Sequence, residues 1–192
     1  MIDTSSARSA LALLQESGAA AAEVVAESGR GFQLAERVRE LVGEPRGVVS
    51  RVAVATGPGS FTGLRVGASY AAGLALGLRI PLHALRTLEL QAARAREPAT
   101  ALSEAGRGRI YFQAPGSSPG LGEPSEVPRE HPAVGWLRPR TQAALEAAGA
   151  RFLPEAELRS FGEAAARLLS AAPEVGYGRL KLEYMQSFGK LC

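Results

Sequence analysis

The chain has 192 residues, of which 46% are apolar and 21% charged, with a net charge of +3. That balance suits a soluble globular protein of one domain or two small lobes. It carries no disulfide framework or cysteine-based metal site, because its only cysteine is Cys192. Arg65 and Arg79 bracket the longest weakly polar stretch, so no run is long enough to span a membrane. No secretory signal pattern opens the chain, and the protein is read as cytoplasmic.

Residues 1–5 predict the end of a strand and a polar turn. Residues 9–14 and 20–27 predict two strands joined by the turn Glu16-Ser17-Gly18. Residues 32–42 predict an amphipathic helix with Leu34, Ala35, Val38, Leu41 and Val42 on one face, stopped by Gly43 and Pro45. The apolar run 51–55 predicts a buried strand. A Gly-rich turn, Thr56-Gly57-Pro58-Gly59-Ser60-Phe61, leads into a helix over residues 62–78. Residues 81–84 predict a strand, and Thr87 is expected to cap a helix running to Arg96.

The second half is less regular. Residues 99–102 and 109–114 predict strands pairing around the turn Glu104-Ala105-Gly106-Arg107-Gly108. Five prolines mark 114–133 as a loop. Residues 141–148 and 155–171 predict helices. The order of elements is α/β, with a mixed sheet and helices packed on it. Two lobes are expected: residues 1–97, and a smaller, degenerate lobe at 98–192 whose C-terminal segment could pack back on the first. The first strand has only Met1 and Ile2 before Asp3, so a late start of the chain is expected.

Each candidate site has two readings. Gly57 and Gly59, followed by Ser60 at a helix start, suit a phosphate cradle; they suit equally a stiffened turn with Ser60 or Thr62 as cap. The turn lacks the lysine of a P-loop. Asp3-Thr4-Ser5 suits a hydrated cation and a phosphate, or a turn closing a hairpin. The 62–78 helix is apolar all round, with Val66, Tyr70, Leu74 and Leu78 on one side and Ala68, Ala72 and Leu76 on the other. Such a helix is expected to be buried all round. Its cover is either the chain's own helices at 32–42 and 87–96 or a partner helix packing on Gly and Ala. His83 and His131 do not form a helical two-histidine metal motif. Lys181 and Lys190 are the only lysines. The arginines suit phosphate contacts but are spread along the chain, so a solvated surface is favoured over a direct tRNA groove.

Gly57-Pro58-Gly59-Ser60-Phe61-Thr62-Gly63-Leu64-Arg65-Val66-Gly67 resembles the signature of the bacterial TsaB (YeaZ) family. Supporting resemblances are Ile2-Asp3-Thr4-Ser5, Gly73-Leu74-Ala75-Leu76-Gly77 with Ile80-Pro81-Leu82, Thr87-Leu88-Glu89, the hairpin from Glu104 to Tyr111, and Tyr177-Gly178-Arg179-Leu180. The resemblance covers residues 1–113 well and the rest loosely. The departures are the short first strand, Gly31-Phe32 in place of His-Ser, and Glu104 and Gly106 in place of Asp and Arg.

The resemblance implies an actin-like ATPase (RNase-H-like) fold with a reduced second lobe. It implies a non-catalytic scaffold or activator in tRNA threonylcarbamoyladenosine synthesis, with no catalytic residue and no metal site. The implied partners are a TsaD-type catalytic subunit and a TsaE-type ATPase. tRNA is reached only through the complex, and the chain alone forms a homodimer. No cofactor is implied, except ATP and magnesium at a complex interface. The implied contact residues are Leu34, Val38, Arg65, Val66, Ser69, Tyr70, Gly73 and Leu74. Asp3, Thr4, Ser5, Gly57, Gly59 and Ser60 are the candidates for a vestigial nucleotide site. The alternative is an enzyme, either a stand-alone nucleotide-binding ATPase or a glycoprotease-like metallopeptidase.

Overall fold

A computed structural model describes residues 1–29, 32–176 and 178–184; Gly31, Tyr177, Lys190 and Cys192, singled out above, lie outside the described residues. The chain builds β1 (Ile2–Asp3), β2 (Arg8–Leu14) and β3 (Ala20–Glu27), then α1 (Leu34–Val42) and β4 (Val52–Ala55). Next come α2 (Phe61–Leu78), β5 (Leu82–Leu85) and α3 (Thr87–Arg94). β6 (Thr100–Gly106), β7 (Arg109–Gln113), β8 (Gly120–Gly122) and β9 (Ala133–Val134) follow. α4 (Pro139–Ala147), α5 (Phe161–Leu169) and β10 (Glu174–Val175) complete the described elements.

The first sheet has the order β10-β5-β4-β1-β2-β3, and the second β8-β7-β6-β9. β4 runs parallel to both β1 and β5, whereas β2, β3 and β10 pair antiparallel. Helices cover both faces of the first sheet, so β4 is a continuous apolar run rather than an alternating one. Its valines and alanines still divide the two faces. Val52 and Val54 pack with Leu34, Val38, Ala71 and Ala75 of α1 and α2. Ala53 and Ala55 let Leu90 of α3 and Phe161, Ala164 and Ala165 of α5 come close on the other side.

Four local expectations are corrected. α5 begins at Phe161, not 155, because Ser160 and Glu163 form a reciprocal capping box; Glu155–Glu157 is a separate 3-10 turn. The 114–133 segment is not all loop, since Gly120–Gly122 pairs with β7 as a strand. The β6–β7 hairpin is tighter than expected: Gly106 pairs with Arg109, and Arg107 and Gly108 both take positive φ in a two-residue turn. Thr87 is the first residue of α3 rather than its side-chain cap. β10 has no counterpart among the predicted strands; it places residues 174–175 on the edge of the first sheet, beside β5.

Candidate functional site: a cleft and an outward helix face

The Gly-rich turn sits at the C-terminal end of β4, against the β1–β2 turn. Most of its glycines are there because backbone packs on backbone. A Cβ at Gly59 would run into the Ser5 carbonyl, one at Gly63 into the Thr4 carbonyl, and one at Gly67 into Thr4 Oγ1. Gly57 has φ +111° and lies against the Glu183 backbone. Three donors of the turn are committed within the chain. Gly57 N–H donates to Thr87 Oγ1 at 3.1 Å, Ser60 N–H to the Ser5 carbonyl at 2.7 Å, and Gly63 N–H to Ser60 Oγ at 3.3 Å. Ser60 is thus the helix cap, and three N–H groups of the would-be phosphate cradle already have partners.

Thr4 and Ser5 are likewise tied in. Thr4 Oγ1 donates to the Gly63 carbonyl at 2.7 Å, and Thr87 Oγ1 donates to Ser5 Oγ at 3.1 Å. Asp3 is fully buried. Its Oδ1 accepts from Ser5 N–H at 2.8 Å and Ser5 Oγ–H at 2.6 Å, the local turn reading of this motif. Its Oδ2 is buried without a hydrogen-bond partner. Burial raises the Asp3 carboxyl above its ordinary value, opposed by the Ser5 hydrogen bonds and the Arg94 charge. The unfolded chain therefore ionises Asp3 first, and stability falls as pH rises through about 4 towards the folded value. Asp3→Asn keeps the acceptor for Ser5 and removes the charge. Its amide nitrogen is as unpaired as Oδ2, so the expected signature is a gain in stability relative to the parent chain between pH 4 and pH 7, where the parent ionises its buried carboxyl. The difference should shrink as pH falls to 4. Thermal melts across pH check this, and a variant less stable at pH 7 than at pH 4, relative to the parent, contradicts it.

Thr4, Ser5, Gly59 and Ser60 line a cleft of about 1570 Å³ between the two sheets, with Trp136, Arg138 and Glu155 on the opposite wall. A buried cluster that sequence reasoning missed holds this junction together. The Arg94 guanidinium lies 4.8 Å from the Trp136 ring centre and 4.4 Å from that of Phe161. It pairs with Glu155 and donates to the Arg159 carbonyl at 3.2 Å. Trp136 in turn donates to Glu155 at 3.3 Å. Glu104, one of the departures from the family pattern, pairs with Arg138 at 3.0 Å and accepts from Thr141, pinning the start of α4.

α2 departs from the expectation of all-round burial. Leu64, Gly67, Ala68, Ala71 and Ala75 face the sheet and are buried. Thr62, Arg65, Val66, Ser69, Gly73, Leu76 and Gly77 are exposed along the outer side, so α1 and α3 do not cover it. Val66 and Leu76 are 47% and 56% exposed. A Cβ at Gly73 or Gly77 would meet nothing within 4 Å. Among the other candidate contact residues, Tyr70 and Leu74 are half-buried against the core, and Leu34 and Val38 lie inside it. Arg65 stacks on Phe61, 3.8 Å from the ring centre, and reaches Tyr184 at 3.4 Å.

The model of the family "TsaD: tRNA N6-adenosine threonylcarbamoyltransferase" matches residues 37–123. The tRNA threonylcarbamoyladenosine biosynthesis protein TsaB of Bacillus subtilis (strain 168) is 42% identical over 66 residues, 33% of this chain and 29% of that protein. YeaZ from Pseudomonas aeruginosa superposes with a TM-score of 0.76 at 23% identity, covering 96% of this chain and 97% of that one. Over those stretches the chain is similar in sequence to TsaB, and over nearly its whole length it shares the fold of YeaZ. A second structure, described as an uncharacterized protein with similarity to peptidase YeaZ from the same organism, gives 0.72 at 24% identity with the same coverage. The TsaB/YeaZ-like fold is the actin-like ATPase (RNase-H-like) fold, with mixed sheets and helices. The sequence match spans 29% of the length of its curated relative. No helix among the described residues is long and apolar enough to cross a membrane.

Proposed function

We propose that this chain is a non-catalytic subunit that holds a TsaD-type transferase through the outer face of α2. In that role it supports transfer of a threonylcarbamoyl group to the tRNA adenosine beside the anticodon. The observation carrying this reading is the pair Gly73 and Gly77. Each interior helical glycine costs about 1 kcal/mol against alanine, and the fold has room for a side chain at both. A helix backbone approaching closely would use that room, with Val66 and Leu76 beside it as apolar anchors.

Arg65, Val66, Ser69 and Gly73 form the contact, with Tyr70 and Leu74 at its margin. Leu34 and Val38 support it from beneath. In the same reading a TsaE-type ATPase joins the complex and tRNA is reached through the catalytic subunit. The chain alone pairs with a second copy through the same face, in the cytoplasm. Any ATP and magnesium sit at a joint of the complex, since Asp3 is buried and three N–H groups of the turn are bonded internally.

A second reading, a stand-alone ATPase, rests on the cleft beside Thr4, Ser5, Gly59 and Ser60. Calorimetric titration of the purified chain with ATP and magnesium separates the two. The scaffold reading expects no micromolar binding and no turnover. Micromolar binding with turnover would replace it with the ATPase.

A further inference from the structure

Among the described residues the chain passes between the two sheets twice. It leaves α3, which packs on the first sheet, and enters β6 of the second at Thr100. It returns after Leu153, whose N–H is bonded to the Ala133 carbonyl of β9, and enters α5 at Phe161. The crossings 95–99 and 154–160 are therefore where a hinge between the two walls of the cleft would turn. Hinges are short connecting segments that absorb changes of φ and ψ.

Here the two crossings are bound to each other. Arg159 N–H donates to the Arg94 carbonyl at 2.8 Å, and Arg94 Nε donates to the Arg159 carbonyl at 3.2 Å in return. The Arg159 guanidinium donates to the Ala93 carbonyl at 3.3 Å and to the Ala95 carbonyl. It thus lies on carbonyls at the C-terminal end of α3, where a cation is favoured. Arg96 Nε donates to the Glu157 carbonyl at 3.2 Å, and Arg94 pairs with Glu155. Pro98 and Pro154 restrict φ within the same two segments. The Arg94 side chain is 3% exposed, so pulling the crossings apart would leave a buried charge without its partner.

We propose that this reciprocal arginine clasp locks the hinge, so that the cleft keeps one width whether or not a molecule enters it. The motion it forbids is closure of the two walls around a ligand. The lock is a property of the two crossings and is independent of what the outer face of α2 holds. Arg159 is its key residue, because it alone contributes a backbone donor, a backbone acceptor and a guanidinium to the clasp.

The test places spin labels on the two walls of the cleft, at Glu27→Cys and Ala143→Cys, both exposed positions that line it. Cys192→Ser removes the only native cysteine. Double electron–electron resonance is expected to give one narrow distance distribution for this chain. Adding Arg159→Ala should broaden it about twofold or more. A broad or two-peaked distribution before that change, or a folded Arg159→Ala chain as narrow as its parent, would overturn the lock. Hydrogen exchange on the unlabelled chain gives a second reading that needs no variant. The Arg159 amide, which joins the crossings, should exchange within about tenfold of the Leu90 amide in the buried face of α3. Exchange at Arg159 faster than that would show the clasp opening on its own and would overturn the proposal.

Discussion

Gly63→Ala is expected to destabilise the chain by about 2–3 kcal/mol, the upper range for overpacking a tight contact. The sign is informative, because helix propensity alone would make alanine better by about 1 kcal/mol. The new Cβ would meet the Thr4 carbonyl, a backbone atom held in place because Thr4 Oγ1 donates to the Gly63 carbonyl at 2.7 Å. Neither side can yield without breaking the seam between the β1–β2 turn and the start of α2. For a chain of this size the loss corresponds to a fall in Tm of roughly 5–10 °C. Gly77→Ala, four turns along the same helix and facing open space, is expected to be neutral or stabilising by up to about 1 kcal/mol. Melts of the two variants side by side decide the matter. Changes of the same sign would remove the distinction between glycines the fold requires and glycines it does not.

Much of the fold is legible in the sequence because its signals are local. The periodic spacing of Leu34, Val38 and Leu41 marks α1, and the apolar run at 51–55 marks a strand covered on both faces. Of the two candidate caps, Ser60 and Thr62, Ser60 is the cap of α2. The candidate site is only half legible. Gly57, Gly59, Gly63 and Gly67 look alike in sequence to Gly73 and Gly77. The difference lies in what stands opposite each: the Thr4–Ser5 turn and Glu183 for the first four, and nothing for the last two. The same limit explains the wheel of α2. A helix of Ala, Gly and Leu reads as apolar all round, although its outer side is open. The Arg94 cluster was invisible for another reason. Its partners Glu155 and Arg159 lie 61 and 65 residues away, and a single arginine on a helix with a lone tryptophan elsewhere carries no spacing to read. The helix predicted from residue 155 is too long because 155–160 has helical composition; the Ser160–Glu163 capping box sets the true start of α5.

The outer face of α2 is where the functional proposal stands or falls. Phe61, Val66 and Leu76 leave large apolar side chains exposed there, next to two glycines that the fold does not need. An arginine at position 73 has free space in the isolated chain and better helix propensity than glycine, so Gly73→Arg should melt at or above the parent temperature. Against a closely packed partner helix the same side chain is a steric and desolvation obstacle. It should weaken the complex by about 100-fold or more, about 3 kcal/mol, as for a substitution at the centre of an interface. The direct measurement is the affinity of parent chain and Gly73→Arg for a purified TsaD-type catalytic subunit, with the melting temperature of each recorded. The scaffold account predicts tight binding by the parent and loss of binding by an equally stable variant. Unchanged binding by the variant, or no binding by the parent, would contradict it.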